Sequence, residues 1–426
     1  MDSYTCEADY LRDLAARSAL PEGFRSAVTS LRFIPRERAT ADGLPMNLSL
    51  ILLDRETPDF GAVFTRNQFP GAPVRIGRRR LREPFIRGVL INNRISNVCT
   101  PRGEHDAEEL LAGLGTIVGS GAGAFFAAST GIIGWEMPVR EMHAALPALA
   151  GSLDSSSLLP LARAIMTTDA FPKVRSAPVG RGRIVGVAKG AGMIEPNMGT
   201  LLCFLLTDLA IARDELRDHL AWCVERTLNR ISVDSDQSTS DMAILLSSGV
   251  RGRAAPEEFR ASLLSVLSGL AFDIVRNAEG VGHAIRVRVK LARDEQTALG
   301  AARAIANSPL VKTAIFGNDP NVGRIVSAVG DYLGNAGLSV DGGRMVVRMG
   351  GEEVFAGGSF RLDPRKEDRL SAYLKDRAFD TGRVPWPQHD KTVDIEVALD
   401  GDSPGAEVLG TDLSYDYVKE NADYRS

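Results

Sequence analysis

A glycine-rich loop that runs directly into an apolar segment is the strongest local constraint on the fold of this 426-residue chain. The loop covers residues 189–200, KGAGMIEPNMGT, and the six residues that follow, 201–206, are all apolar. A short apolar run that ends at Thr207 and Asp208 predicts a buried β-strand, and it is far too short to cross a bilayer. The sequence therefore places one hydroxyl, that of Thr200, at the junction between loop and strand.

The Thr200 hydroxyl is a weak nucleophile unless a base lies beside it. One solution makes the threonine the first residue of a new chain, so that its own α-amine takes the proton. This chemistry requires a cut between Gly199 and Thr200. Judged by spacing alone, a threonine after a glycine more often simply begins a strand.

Composition and charge exclude several classes of function. The chain has 50 Lys and Arg against 54 Asp and Glu and no long basic tract, which argues against nucleic acid as the main partner. The first nine residues are acidic where an export signal is basic and then apolar. Four scattered cysteines and five dispersed histidines predict neither a disulfide framework nor a zinc site. We expect a protein of the reducing cytoplasm.

Closely spaced carboxylates at Asp234, Asp236 and Asp241 suit calcium or magnesium in principle. The segment lacks the glycine and the closing glutamate of an EF-hand loop, so we expect no metal. A hydrolase triad built from Ser129, Thr200 and a histidine has no G-x-S-x-G elbow to support it.

Helix-like and strand-like patterns alternate, which predicts a layered α/β fold with mixed sheets. A chain of this length predicts two or three structural units. We place breaks at the Thr200 junction and at a linker near 324–335. The predicted strands are 87–91, 124–128, 184–188, 201–206, 242–247, 285–291, 311–316 and 392–399, and the predicted helices are 105–118, 158–166, 213–231, 256–276, 295–307, 323–333 and 366–378.

Further motifs occur in a fixed order around the glycine-rich loop. They are STGIIG at 129–134, MTTD at 166–169, SVDSDQSTSD at 232–241, Glu279-Gly280, SPLVKTA at 308–314, GNDPNVGR at 317–324 and NADYRS at 421–426. This order resembles the ornithine acetyltransferase (bifunctional glutamate N-acetyltransferase) family. The resemblance is strong from about residue 125 to 426 and weaker before it.

The resemblance implies a layered mixed-sheet sandwich and a chain that cuts itself between Gly199 and Thr200. The products would be an α chain, 1–199, and a β chain, 200–426, with a smaller C-terminal unit from about residue 335. By the same resemblance the two fragments stay associated, as α2β2 or a larger assembly.

The resemblance also implies roles for individual residues. Thr200 is the nucleophile, and Thr130 with Gly131 forms the oxyanion hole. The substrate-binding positions are Thr167, Lys189, Thr200, Glu279, Asn421 and Ser426. Lys189 suits a carboxylate, Glu279 an ammonium group, and Asn421 offers paired donors and acceptors. Taken singly, Lys189 would more often be a solvated loop lysine and Glu279 a helix-end carboxylate.

The implied reaction is a ping-pong acyl transfer. The Thr200 hydroxyl takes an acyl group, acetyl in the first instance, from an N-acyl amino acid such as N-acetylornithine and passes it to an amino acid such as glutamate. The acyl-enzyme stores the group, so no cofactor is expected. The pathway would be arginine-type or secondary-metabolite biosynthesis. Two alternatives stay open: an N-terminal-threonine amidohydrolase or aminopeptidase of related fold, and an uncleaved, non-catalytic binding protein.

The chain departs from the family pattern at three places. Val322 stands where relatives usually carry tryptophan, His283 stands where they carry lysine, and NNRISN at 92–97 replaces an NSGNAN run. The loss of a tryptophan and a lysine beside a substrate site would change its volume and charge. This leads to the hypothesis that the acyl donor or acceptor differs from the usual N-acetylornithine and glutamate pair.

Overall fold

The computed structural model describes residues 4–38, 42–195, 201–380 and 384–423. Within them the strands are β1 (Phe24–Phe33), β2 (Leu44–Thr57), β3 (Phe60–Phe64), β4 (Ile86–Asn92), β5 (Phe125–Ser129), β6 (Lys173–Val179), β7 (Gly182–Lys189), β8 (Leu202–Thr207), β9 (Ile231–Ser232), β10 (Met242–Ser247), β11 (Ala284–Lys290), β12 (Val346–Met349), β13 (Glu352–Ala356), β14 (Ser359–Phe360), β15 (Val393–Ala398) and β16 (Ala406–Thr411).

The helices of the same described residues are α1 (Glu7–Arg17), α2 (Ala72–Arg80), α3 (Gly103–Val118), α4 (Val139–Gly151), α5 (Leu159–Ala164), α6 (Arg213–Arg226), α7 (Pro256–Val275), α8 (Glu295–Asn307), α9 (Pro309–Phe316), α10 (Val322–Asn335), α11 (Pro364–Lys375) and α12 (Tyr415–Asp423). None of these helices has both the length and the apolar composition that crossing a bilayer requires.

The chain forms two compact units. The amino-terminal unit contains residues 6–229 and 236–274, and the carboxy-terminal unit contains residues 4–5, 230–235 and the described residues from 275 to 423. The short segment 230–235 belongs to the second unit because β9 pairs in parallel with β16. Residues 195 and 201, the described residues that flank the predicted junction, both lie in the amino-terminal unit.

The amino-terminal unit contains two sheets. A four-stranded sheet has the order β1-β2-β4-β5, in which β4 and β5 are parallel. A five-stranded sheet has the order β3-β10-β8-β7-β6, in which β8 and β10 are parallel and the other pairs antiparallel. Every residue of β8 and β10 is buried, which confirms the two buried strands predicted from the apolar runs.

The carboxy-terminal unit is built on a seven-stranded mixed sheet of order β14-β13-β12-β15-β11-β16-β9. In β11 the side chains of Ile285, Val287 and Val289 are buried, and the basic residues between them are partly exposed. This is the two-residue period expected of a half-buried strand. The mixed α/β architecture predicted from the sequence is confirmed.

Two features of the carboxy-terminal unit differ from the prediction. Residues 311–316 are helical rather than extended, because Pro309 starts α9 and the Ser308 hydroxyl accepts a hydrogen bond from the Val311 N–H at 3.3 Å. Helix α10 buries Ile325, Val329 and Leu333 in a core that also takes residues from strands before and after it. The described chain therefore does not divide at the linker predicted near 324–335.

Candidate active site

The carboxyl end of β7 and the starts of β8 and β10 meet at one edge of the five-stranded sheet. Lys189 is paired with Leu202, and Leu202 is paired with Met242. Leu201 and Asp241 come directly before these two strands, so they lie side by side. The predicted nucleophile, Thr200, and its neighbour Gly199 lie outside the described residues, as does Ser426.

Asp241 holds the residue that follows Thr200. Its carboxylate oxygen Oδ1 accepts a hydrogen bond from the Leu201 N–H at 2.8 Å, and the Met242 N–H donates to the Leu201 carbonyl oxygen at 3.0 Å. Asp241 is fully buried, and this burial raises the pKa of its carboxyl well above the usual range, although Lys189 opposes the shift. Both the N–H and the carbonyl oxygen of Leu201 are therefore held by hydrogen bonds.

The Thr130-Gly131 turn follows β5 at the end of the four-stranded sheet. The Ser129 hydroxyl donates to Asn92 Oδ1 at 2.6 Å, and the Thr130 N–H donates to the Asn92 carbonyl oxygen at 3.1 Å. Thr130 is 1% exposed, and its hydroxyl has no hydrogen-bond partner among the described residues. A buried, unpaired hydroxyl costs free energy and is typical of a group kept for a ligand.

Gly131 can be no other residue without rearrangement of its surroundings. Its φ angle is +127°, and a Cβ atom there would overlap the carbonyl group of Arg94. The Arg94 carbonyl oxygen also accepts a hydrogen bond from the Ile132 N–H at 2.9 Å. Arg94 itself has φ +71°, which is uncommon for a side chain other than glycine. The divergent 92–97 segment therefore packs directly against the Thr130-Gly131 turn and holds it by hydrogen bonds.

Asp169 connects two segments that were predicted to bind substrate. Its Oδ1 accepts hydrogen bonds from Lys173 Nζ at 2.5 Å and from the Gly190 N–H at 2.9 Å. Its Oδ2 accepts from the Thr167 N–H at 3.2 Å. Burial alone would raise the pKa of Asp169, but the ammonium groups of Lys173 and Lys189 together hold it well below its usual range. Asp169 is therefore an ionised link between the Thr167 segment and the glycine-rich loop.

Lys189, at the carboxyl end of β7, is 3% exposed. Its positive charge favours the ionised form of the carboxyl groups of both Asp169 and Asp241. The Thr130 turn and the Thr167 segment are also linked, because Asn93 donates to the carbonyl oxygen of Ala164 at 3.0 Å, near the end of α5. The structure thus brings the Thr130, Thr167 and Lys189 segments into one bonded network within the amino-terminal unit.

Glu279 and Asn421 are in contact within the carboxy-terminal unit. Asn421 Nδ2 donates to Glu279 Oε2 at 3.0 Å, and the Ser414 hydroxyl donates to the Gly280 carbonyl oxygen at 2.5 Å. Gly280 has φ +59°, and a Cβ atom there would overlap the backbone of Tyr417. The Glu279-Gly280 turn and α12 are consequently held against each other, so two predicted substrate-binding residues do lie together.

The two divergent positions His283 and Val322 lie inside the carboxy-terminal unit. His283 Nδ1 is 2.8 Å from Asp412 Oδ2, and Nε2 is 3.2 Å from the Leu374 carbonyl oxygen. Each ring nitrogen of His283 therefore faces an oxygen atom inside the carboxy-terminal unit. Val322 is buried in the core. Neither side chain therefore argues by itself for a different substrate.

One cluster of possible metal ligands occurs among the described residues, formed by His105, Asp106 and Glu109. The guanidinium of Arg102 lies 3.1 Å from Asp106 Oδ1 and 3.0 Å from His105 Nδ1, so it already occupies two of the ligand atoms. Asp241, which the sequence offered as a metal ligand, binds the Leu201 N–H instead.

A buried lysine and a buried acid lie at the end of the five-stranded sheet, and a buried hydroxyl without a partner among the described residues lies at the end of the four-stranded sheet. Such groups are typical of an enzyme site. The chain belongs to the ArgJ family, whose model matches residues 39–426. This confirms the resemblance inferred from the ordered motifs.

The chain is similar to three known proteins in particular. It is 39% identical over 420 residues to "Arginine biosynthesis bifunctional protein ArgJ" of Nitratidesulfovibrio vulgaris, covering 96% of this chain and all of that protein. It is 35% identical to "Glutamate N-acetyltransferase Oat2" of Streptomyces clavuligerus, covering 85% and 89%. A crystal structure of the bifunctional protein ArgJ from Bacillus halodurans is 33% identical, with a TM-score of 0.44, and the match covers 52% of this chain and 98% of that one.

Proposed function

We propose that the protein is a self-processing acyltransferase that moves an acetyl group from an N-acetyl amino acid such as N-acetylornithine to glutamate. Membership of the ArgJ family and the names of the relatives support the reaction class. The observation that carries the proposal is the Thr130-Gly131 turn, in which a buried hydroxyl has no partner among the described residues. Such a turn suits the oxyanion of an acyl transfer.

The proposed reaction begins with the Thr200 hydroxyl, which gives its proton to the α-amine of the same residue and attacks the acyl carbonyl. The developing oxyanion takes hydrogen bonds from the Thr130 hydroxyl and the Gly131 N–H. Preorganised donors of this kind contribute about 3–4 kcal/mol. The deacylated amino acid leaves, and the amine of the acceptor then attacks the acyl-enzyme ester.

The remaining predicted residues hold the amino-acid substrate in this proposal. Lys189 binds a substrate carboxylate, and Thr167 is held beside it through Asp169. Glu279, oriented by Asn421, binds an ammonium group. Ser426 completes the set by family resemblance. The enzyme would act in the cytoplasm on free amino acids and needs no cofactor, because the ester stores the acyl group.

Cleavage between Gly199 and Thr200 would give chains 1–199 and 200–426. The five-stranded sheet supports their continued association, because strands of the first chain (β3, β7 and β6) flank strands of the second (β10 and β8). Backbone hydrogen bonds between β7 and β8 and between β3 and β10 would join the two fragments. We propose that the cut pair assembles further into α2β2 or a larger form.

Intact-mass analysis tests this function. The wild-type protein should give two chains, and incubation with N-acetylornithine should add an acetyl group to the chain that begins at Thr200. A Thr200→Ala variant should remain one chain without an adduct. A single unmodified wild-type chain would instead indicate the non-catalytic binding protein.

A second assay separates transfer from hydrolysis. Release of the free amino acid is measured with and without glutamate over a panel of N-acyl amino acid donors that includes N-acetylornithine. Release that depends on the acceptor supports the transferase, whereas a rate that is independent of acceptor identifies an amidohydrolase. A clear preference for N-acetylornithine and glutamate would reject the hypothesis of an unusual substrate pair.

A further inference from the structure

Asp412 is a buried residue that binds the segment directly after Glu279 within the carboxy-terminal unit. Its Oδ1 accepts a hydrogen bond from the Gly282 N–H at 2.9 Å, and its Oδ2 lies 2.8 Å from His283 Nδ1. Its own N–H donates to the His283 carbonyl oxygen at 3.2 Å. The approach is close, because a Cβ atom at Gly282 would lie 2.6 Å from Asp412 Oδ2. One residue thus holds the chain just beyond Glu279.

Ser414 joins the turn at Glu279 to the start of α12. Its hydroxyl donates to the Gly280 carbonyl oxygen and accepts from the Tyr417 N–H at 3.0 Å, as the capping residue of a helix does. Gly280 lets the two backbones touch, since a Cβ atom there would lie 2.1 Å from the Tyr417 nitrogen. Ser414 is buried, so its hydroxyl is an internal junction between turn and helix.

Helix α12 depends on such polar contacts for its position. It has nine residues, and none of their side chains is buried. Helices shorter than about 12–15 residues are marginally stable in water by themselves, and packing of an apolar face usually stabilises them in proteins. The Ser414 cap at one end of α12 therefore helps to place Asn421 at the other end, where its Nδ2 donates to Glu279 Oε2 at 3.0 Å.

The buried side chain of Lys312 anchors the segment from which Asp412 and Ser414 act. Its ammonium group donates to the carbonyl oxygens of Thr411 and Val233, both at 2.7 Å. The Leu413 N–H donates to the Lys312 carbonyl oxygen at 3.5 Å. The segment 411–414 is therefore a fixed support for the turn at Glu279 rather than a free surface loop.

We propose that Asp412 and Ser414 are positioning residues that place the Glu279 carboxyl group for the ammonium group of the acyl donor. This inference rests on the proposed function, because it takes Glu279 as the residue that binds an ammonium group. In N-acetylornithine the α-nitrogen is acylated, so the only ammonium group is at the end of the side chain. The donor class that this arrangement selects is an N-acyl amino acid with a cationic side chain.

Two donors that differ in this ammonium group test the inference. N-acetylnorvaline has the side-chain carbons of N-acetylornithine and lacks the terminal amine. The ratio of kcat/KM for N-acetylornithine to that for N-acetylnorvaline, with glutamate as acceptor, is the donor preference. Glu279→Gln should lower it by about 10- to 100-fold, because a hydrogen bond between charged groups is lost. Ser414→Ala and Asp412→Asn should each lower it by about 10-fold or more by misplacing Glu279.

Two controls separate positioning from a general loss of stability. Ser414→Thr keeps the hydroxyl and should keep the donor preference. Asp294→Ala removes the side-chain cap of α8, in which Asp294 Oδ1 accepts from the Thr297 N–H at 2.7 Å. It should lower the unfolding temperature and leave the preference unchanged, since loss of stability alone affects both donors equally.

Amide hydrogen exchange provides a readout that does not depend on activity. Exchange of residues 415–423 should be faster in Ser414→Ala than in the wild type and in Asp294→Ala, because α12 loses its cap. This measurement and the donor preference of Ser414→Ala decide the matter if Asp412→Asn does not fold.

The outcomes distinguish this inference from the proposed function. Wild-type exchange of α12 in Ser414→Ala overturns the inference. Wild-type donor preference in the folded Ser414→Ala and Asp412→Asn variants also overturns it, provided that Glu279→Gln loses the preference. If Glu279→Gln keeps the preference, Glu279 does not bind the ammonium group, and the failure lies in the proposed function.

Discussion

Replacing Thr130 by valine should change stability and activity in opposite directions. Valine has nearly the same shape as threonine but has no hydroxyl. The Thr130 hydroxyl is buried and has no hydrogen-bond partner among the described residues. An unpaired buried polar group costs about 1–3 kcal/mol, so its removal should raise the free energy of unfolding by up to that amount.

The same substitution, Thr130→Val, should cause a large loss of activity. If the hydroxyl donates to the oxyanion, its removal should lower kcat by about 100- to 1,000-fold. The KM for the acyl donor should change little, because the contact forms in the transition state. Rates are to be measured on the cleaved form of each variant, with the extent of cleavage checked on a denaturing gel.

A matched control is available at Thr207, which is buried in the same unit. Its hydroxyl donates to the Arg183 carbonyl oxygen at 2.9 Å and accepts from the Leu209 N–H at 3.2 Å. Thr207→Val should therefore lose stability by about 1 kcal/mol or more and keep kcat. If Thr130→Val lost stability as Thr207→Val does and kept its kcat, the hydroxyl would be structural and the oxyanion assignment wrong.

Three further perturbations follow from the same structure. Gly131→Ala should cost more unfolding free energy than Gly134→Ala in a urea titration, because both positions have positive φ but only the Cβ at 131 meets other atoms. Asp169→Asn should cost about 3–5 kcal/mol by leaving the buried Lys173 ammonium unpaired, and Asp169→Asn/Lys173→Met should recover much of that loss. Burial lowers the pKa of Lys312 to about 8 from 10.5, so the unfolded chain holds this proton to higher pH than the folded one. Stability should therefore rise by about 3 kcal/mol between those pH values, and Lys312→Met should abolish that rise in unfolding titrations.

Local patterns predicted the strands and helices well where one signal dominated. The apolar run 201–206 and the alternation in β11 appear in the structure as predicted. The run 311–316 was ambiguous, because a short apolar segment suits a strand or a buried helix. The Ser308-Pro309 pair before it is a helix-start signal that decides in favour of α9.

Residues of the candidate site could be predicted from the sequence only where they belong to a recognised motif. The motifs pointed to Thr130, Lys189 and the Glu279–Asn421 pair, but Asp169 and Asp241 had no assigned role. Their importance comes from contacts across 21 and 40 residues of sequence, to Gly190 and to Leu201. A single sequence contains no direct record of such contacts, and a lone aspartate in a polar segment looks like a surface residue.

The strained backbone at Arg94 is a second feature that the sequence alone does not predict. The sequence reveals that an arginine stands in a divergent segment, but it does not reveal a φ angle of +71° or the approach of Gly131. Strain of this kind persists only where surrounding contacts impose it. Here the contact is the hydrogen bond from Ile132 to the Arg94 carbonyl oxygen, which shapes the turn after Thr130.

The buried charged groups around Lys189 favour a bound anion. Asp169 and Lys173 form an ion pair and cancel, and burial raises the pKa of Asp241, which disfavours its ionised form. The ammonium of Lys189 is then left as the net charge of this group. A positive charge in a buried site favours a substrate carboxylate and also the oxyanion that develops during acyl transfer. An ionised Asp241 would oppose that charge, so the burial that disfavours ionisation of Asp241 also favours the proposed binding of a substrate carboxylate at Lys189.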